Sequence, residues 1–277
     1  MWPLLRALLR IAAFLSLNLL LVPLYLIARP CSAALGHALV RSYCRASCAI
    51  LGVDVTANGE PFRACPTLYV ANHVSYLDVL ILGALLDTAF IAKLEVAGWP
   101  LFGQLGRVTG TLFVRRHWRD APVQCRALAA RLEAGQSLVL FGEGTSTDGL
   151  AVRRFKTSLL SVVEAGRLER PVAVQAVTLA YCSLRDRTPI DRSNCDLYAW
   201  HGDAEFLPHL WGVVCGDGLR VRMTIEAPIL SWGIQSRKAV GAQLQAIVAA
   251  RLAQQLEAEP AIRTAPSAQP EAQPAWS

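Results

Sequence analysis

TLYVANHVSYLDVLILGALL, residues 67–86, is the stretch on which the reading of this chain turns. It opens on a β-rich apolar run, TLYVA (67–71), and closes on a longer apolar run, VLILGALL (79–86), with the polar NHVSYLD between them. The order predicts strand, loop, helix. On one continuous helix His73 and Asp78 would diverge by roughly 140° at 3.6 residues per turn and could not meet. A helix that starts at Ser75 changes this. Ser75 becomes the N-cap, Asp78 the third helical residue, and His73 a loop residue toward which Asp78 points back. Ser-x-x-Asp is also a capping-box-like start signal, so Asp78 has a purely structural reading too. The chemical reading is specific: a neutral imidazole takes a proton from a hydroxyl, and a carboxylate on its other nitrogen fixes the tautomer.

Outward from this unit the pattern alternates. Runs with β character lie at 53–57, 67–71, 89–93, 111–114, 137–141, 172–180 and 220–227, and helical patterns at 75–86, 121–134, 156–165 and 236–256. This predicts an α/β fold with a mixed, largely parallel sheet flanked by helices. Sites in such sheets lie outside the carboxyl ends of the strands. Upstream, residues 11–28 carry no charge, reach the length of a membrane helix and include Pro23; Arg6, Arg10 and Arg29 flank them. An anchor is preferred over a cleaved leader, because ARPCSAA (28–34) places Arg and Pro where the small residues of a clean cleavage site should stand. Residues 32–51 place Leu35, Leu39, Tyr43, Ala46 and Ile50 on one stripe, with His37, Arg41 and Arg45 nearly opposite, as in an interfacial helix. The expected organisation is an N-terminal membrane-associated helical pair (1–51), an α/β domain (52–256) and a disordered tail (257–277), rich in Ala, Pro, Gln and Glu.

Composition points the same way. The chain is 53% hydrophobic and 17% charged, with a formal net charge of +6. Its lysines are Lys93, Lys156 and Lys238, so the basic excess is arginine. No zinc-finger spacing or basic–aromatic interleaving favours nucleic acid; the apolar N-terminus favours anionic lipid. Eight cysteines without a CxxC pair read as reduced, mostly buried thiols of a protein facing the cytoplasm. No metal-ligand cluster stands out. The loop LFGEGTSTDG (140–149) exposes backbone N–H groups that can hold an anion or a developing oxyanion. Within it Glu143 either organises the loop or meets a polar substrate. The nearest approach to a nucleophile elbow, Gly144 to Asp148, lacks the closing glycine. A His–Asp pair without its own serine suggests that the substrate's hydroxyl is the attacking group. GTLFVRR (110–116) ends a strand on paired arginines, which suit phosphate or carboxylate.

NHVSYLD, GTLFVRR, FGEGT and PVAVQAV occur in the order and at about the spacing of the four blocks of the glycerolipid acyltransferases. Over residues 51–227 the chain resembles the bacterial lysophosphatidic acid acyltransferases, whose blocks read H-x4-D, G-x-x-F-x-x-R, F-P-E-G-T-R-S and a proline-bracketed valine strand. The resemblance implies that His73 is the general base and Asp78 its orienter. It implies that Arg116, with Arg115 beside it, binds the acceptor headgroup, that Glu143, Gly144 and Thr145 line the acceptor site, and that Lys93 has a headgroup role. It also implies an acyl-CoA or acyl carrier protein donor as co-substrate, no further cofactor, a lysolipid acceptor in a bilayer, and an inner-membrane protein with its catalytic domain toward the cytoplasm. Three positions depart from the pattern: Gly142 for proline, Ser146 for arginine and Gln175 for proline. GEGTSTDG, IAKLEVAGWPLFG and FLPHLWG look closer to the lyso-ornithine-lipid branch, whose acceptor carries an amino-acid headgroup. Arg153, Arg154 or Lys156 could restore the charge missing at Ser146, so the expected activity is of the 1-acylglycerol-3-phosphate acyltransferase type, with lyso-ornithine-lipid O-acyl transfer as the alternative. A lipid hydrolase and a non-catalytic lipid-binding protein are the rival readings.

Overall fold

The computed structural model describes residues 2–99, 102–115 and 118–264. Two helices come first, α1 (Trp2–Cys31) and α2 (Ala33–Leu51), joined at Ser32. Ser32 is extended, and its Oγ accepts the Leu35 N–H at 3.3 Å, so the hydroxyl caps α2 and sets the hairpin. Then follow β1 (Val53–Asn58), β2 (Thr67–Ala71), α3 (Leu77–Leu85), β3 (Ala89–Lys93), α4 (Phe102–Val108) and β4 (Leu112–Val114). The remaining elements are α5 (Ala121–Glu133), β5 (Leu138–Phe141), β6 (Ala173–Leu184), α6 (Phe206–Cys215), β7 (Leu219–Ile225), β8 (Ile229–Leu230) and α7 (Arg237–Thr264).

The strands form one sheet in the order β1-β7-β6-β2-β5-β3-β4, with β8 on β6. β6, β2, β5, β3 and β4 run parallel to one another, while β7 is antiparallel to β6 and parallel to β1. The mixed, largely parallel sheet expected from the alternation is therefore present. Every residue of β2 is buried, as is all of β6 but its last residue, which is why both read as mostly apolar runs, interrupted in β6 by Gln175, Thr178 and Ser183. The pleat sorts β2 between two cores. Tyr69 and Ala71 pack with Cys48, Leu77 and Ile81 on the α2–α3 side; Leu68 and Val70 pack with Leu128, Val240 and Leu244 on the α5–α7 side. Each fully buried large apolar side chain contributes about 1.5–3 kcal/mol.

α1 exposes a run of large apolar side chains, Leu15, Leu19, Leu20 and Ile27 among them. It is long and apolar enough to cross a bilayer. Both of its ends are tied to the α/β domain. Near the start, Arg10 Nη1 donates to Val214 O at 3.0 Å and Gly216 O at 2.7 Å, and Arg6 Nη1 to Gly216 O at 3.0 Å and to Asp217. Near the other end, Tyr25 Oη and Arg29 Nη1 donate to Val108 O at 2.9 and 2.8 Å. The acceptors are the orphan carbonyls at the ends of α6 and α4, where a cation also meets the negative end of the helix dipole. α2 is engaged in the same manner. His37 Nδ1 and Arg41 Nη1 stand 2.8 and 3.5 Å from Asp87, and Arg45 Nε donates to Ala84 O at 3.0 Å. The face expected at the lipid headgroups thus holds the end of α3, while Leu35 on the apolar stripe stays exposed.

Several expectations are corrected. Residues 156–165 form a 3-10 turn at Leu159–Val163 and no α-helix. Ser161 Oγ bonds back to Ser158 O at 2.9 Å, the local competition that serines offer a helix, and two β-branched valines follow. α3 starts at Leu77 after an uncapped Tyr76, and Ser75 Oγ is buried without a partner, so Ser75 is not the N-cap. α7 continues to Thr264, past the expected domain end at 256, with Glu257, Ala258, Glu259 and Ala261 as strong helix formers around Pro260; residues 265–277 lie outside those described.

Candidate active site at the carboxyl edge of the sheet

β2, β5, β3 and β4 end side by side: Ala71 is in register with Phe141, and Lys93 with Val114. The first three sequence blocks therefore leave the same edge, and the fourth forms the first half of β6 alongside β2. At the end of β2 the chain turns out of the sheet at Asn72, which is 1% exposed. Its side-chain amide donates to Leu179 O at 2.9 Å and accepts from Leu179 N at 2.8 Å, satisfying the β6 backbone where the main chain has departed.

His73 follows, and its main chain is held on both sides. Its N–H donates to Glu143 Oε1 at 2.8 Å, and its carbonyl accepts from Thr147 N at 2.9 Å and Thr147 Oγ1 at 3.2 Å. The imidazole stacks on Phe141, ring centroids 3.9 Å apart and planes 17° apart. Nδ1 lies 2.7 Å from Asp78 Oδ2, with the carboxylate side chain 0% exposed and the imidazole 16% exposed. Nδ1 must carry its hydrogen to make that bond, which leaves Nε2 with a free lone pair. Asp78 Oδ2 also accepts the Val74 and Ser75 N–H groups at 2.7 and 3.1 Å, and Oδ1 accepts the Tyr181 hydroxyl at 2.8 Å. The carboxylate folds back over the loop, so the i, i+5 spacing that no helix could close is closed by a turn.

Glu143 is 2% exposed. Its second oxygen accepts the Arg153 N–H at 2.8 Å. Burial pushes its carboxyl up from the usual range, and the His73 and Arg153 N–H groups pull it back. Both oxygens face backbone donors of flanking loops, so among the two readings open from sequence the geometry fits the organising one. The loop around it needs its glycines. Gly144 has φ +68, and a Cβ there would stand 2.8 Å from Lys156 Cδ. Gly142 donates to Ala71 O at 2.8 Å, a bond that the usual proline could not make. A Cβ at Gly142 would also sit 2.6 Å from Phe155 Cδ2. Gly142→Ala is expected to destabilise the protein by about 1–3 kcal/mol, read as a fall of several degrees in its thermal unfolding midpoint; an unchanged midpoint would contradict the close approach. The departure at Gln175 also has a structural account. Its amide, 1% exposed, accepts from Phe62 N and donates to Glu60 O and Glu226 O, pinning the β1–β2 connection to the end of β7.

The Lys and Arg candidates among the described residues are exposed. Lys93, at the end of β3, is exposed, with Nζ 3.3 Å from Glu95. Arg115 is exposed after β4, and Arg116 lies outside the described residues. Thr145 is half-buried beside Gly144. Arg153, Arg154 and Lys156 are exposed on the segment that wraps the third block, Lys156 N donating to Gly142 O at 2.8 Å. The geometry thus joins His73, Asp78 and Glu143 directly; Lys93 and Arg115 stand at the ends of neighbouring strands, and Arg153, Arg154 and Lys156 on the segment beside the third block. Asn72 and Tyr181 went unassigned from sequence, because each meets its partner more than 100 positions away.

Residues 54–179 match the family described as Acyltransferase. The chain is 34% identical over 253 residues to the lyso-ornithine lipid O-acyltransferase of Brucella abortus, spanning 89% of this chain and 94% of that one. It is 38% identical over 135 residues to the 1-acyl-sn-glycerol-3-phosphate acyltransferase of Neisseria gonorrhoeae, 47% of this chain and 50% of that one. The crystal structure of the 1-acyl-sn-glycerophosphate acyltransferase from Thermotoga maritima superposes with a TM-score of 0.62 at 18% identity, over 96% of this chain and 99% of that one. At that identity the likeness carries the fold alone.

Proposed function

The chain belongs to the acyltransferase family, and on that premise we propose that it transfers a fatty acyl group from acyl-CoA or acyl carrier protein to the free hydroxyl of lyso-ornithine lipid. The observation that carries the chemistry is the 2.7 Å contact between His73 Nδ1 and Asp78 Oδ2, which leaves Nε2 for the substrate. In the proposed reaction Nε2 takes the hydroxyl proton as the oxygen attacks the thioester carbonyl. Asp78 steadies the imidazolium and remains ionised. The carbon–sulfur bond then breaks, and Nε2 returns the proton to the departing thiol. General base assistance supplies on the order of 10²–10⁴-fold, and the fixed approach of the reactants supplies much of the rest. Glu143 acts as a positioning residue through the His73 and Arg153 N–H groups. Gly144, Thr145, Lys93, Arg115 and Arg116 are proposed to meet the headgroup.

The acceptor assignment is supported by the nearly full-length likeness to the Brucella protein and by Ser146, which removes a guanidinium suited to a phosphate monoester. The exposed Arg153, Arg154 and Lys156 beside the third block favour a second reading, 1-acylglycerol-3-phosphate as acceptor. Purified protein offered each lysolipid with the same thioester separates them. Preference for lyso-ornithine lipid is the expected result, and preference for the phosphate monoester would replace the first reading with the second. Thioester hydrolysis without transfer to either would reject both.

The partner surface is proposed to be the cytoplasmic leaflet of the inner membrane, with α1 lying in it. α1 has 30 residues and is roughly 45 Å long. A helix that crossed the bilayer would carry one end about 30 Å from the domain, whereas Arg6 and Arg29 each reach a helix end of that domain. Leu207 and Trp211, exposed on α6 beside the Arg10 contact, extend the apolar surface.

A further inference from the structure

We propose that Tyr181 is a positioning residue of the His73–Asp78 pair, its hydroxyl holding Asp78 Oδ1 so that Oδ2 stays aimed at the imidazole and draws its proton with restrained strength. The inference rests on His73 being the base. Tyr181 stands on β6, 3% exposed, and its Oη lies 2.8 Å from Asp78 Oδ1. A carboxylate with no exposure must have its lone pairs satisfied by the protein. Oδ2 has the Val74 and Ser75 N–H groups and His73 Nδ1. Among the described residues Oδ1 has Tyr181, reached across 103 positions of sequence.

The groups facing this pair leave the carboxylate dominant. Cys48 on α2 and Tyr76 on the loop are both pushed up by burial and stay neutral. Glu143 stands behind His73, its own charge spread over two backbone donors. Burial and the Asp78 charge push the Tyr181 phenol well up, so it remains a donor throughout the working range and takes no proton in the reaction. A donated hydrogen bond withdraws charge from the carboxylate. Without it, Oδ1 is buried and unpaired, and the cheapest compensation is a proton kept on His73.

The test is Tyr181→Phe in the full chain in detergent micelles, with the His73 imidazole followed by NMR titration in the absence of substrate. We expect it to titrate about one pH unit higher than in the parent protein. The acid limb of kcat/KM, measured with lyso-ornithine lipid and hexadecanoyl-CoA, should move the same way, with about a tenfold loss at the plateau. An imidazole that titrates at the same pH in a folded variant overturns the proposal, even if yield or kcat falls, because a packing role alone would do that. Incorporation of 3-fluorotyrosine at position 181 keeps the shape and makes the donor more acidic. It should shift the titration to lower pH, and no shift would count equally against the proposal. The titration needs no acyl transfer, so absence of transfer in the parent protein refutes the proposed function separately.

Discussion

His73→Ala should lower kcat/KM for acyl transfer by roughly 10³–10⁴-fold while leaving the fold and vesicle binding intact. The upper part of the range allotted to a general base applies because, among the described residues, no second imidazole stands on Asp78 to take the proton. The fold should survive for a specific reason. Removal of the ring takes one hydrogen bond from Asp78, but Val74 N, Ser75 N and Tyr181 Oη still satisfy the buried carboxylate. The Glu143 and Thr147 bonds to residue 73 are made by its backbone and need no side chain. What is lost beyond the base is the stack on Phe141. Rates compared at equal amounts of folded protein decide the matter. Transfer within a few-fold of the parent would remove His73 from the chemistry, and with it the mechanism.

Asp78→Asn should cost roughly 10²–10⁴-fold in kcat, with the geometry kept. The amide has a preferred orientation. Its oxygen belongs where Oδ2 stands, since Val74 N, Ser75 N and His73 Nδ1 all donate there, and its NH2 group then meets Tyr181 Oη as acceptor. The tautomer of His73 is therefore retained, and what disappears is the negative charge that stabilises the imidazolium. The reverse orientation would set NH2 against two backbone donors in a buried site, at a cost of about 1–3 kcal/mol. Wild-type unfolding behaviour with a large fall in kcat is the expected combination. A fall in stability that accounts for the whole loss of rate would instead make Asp78 only a scaffold for the loop.

Much of this site could be read from residues 67–86, because a fully buried strand followed by an apolar helix leaves only the loop between them for chemistry. The alternation that located the parallel strands is a local signal, set by burial on both faces of β2 and β6. Other features were not local. Asn72 finds its partner 107 positions away on β6, and Tyr181 reaches Asp78 over a similar span, so neither role leaves a trace in nearby spacing. Glu143 sits in a legible motif, yet the direction of its carboxylate depends on how residues 153–156 fold back beneath it. α6 escaped because Pro208 in its first turn and Gly212 near its end weaken the local preference for helix. Its stability comes from Val213 in the core and from the arginines of α1 at its last carbonyls. The expected helix at 156–165 failed for the opposite reason: the apolar spacing was suitable, but the Ser161 hydroxyl ties up the Ser158 carbonyl.

The mooring of a long greasy helix to one body at both of its ends gives the proposed one-leaflet placement a consequence. On that placement the chain would finish folding in water-accessible surroundings and settle onto a membrane afterwards. Whatever lipid it collects, and whatever it hands back, would then belong to one and the same sheet of the bilayer.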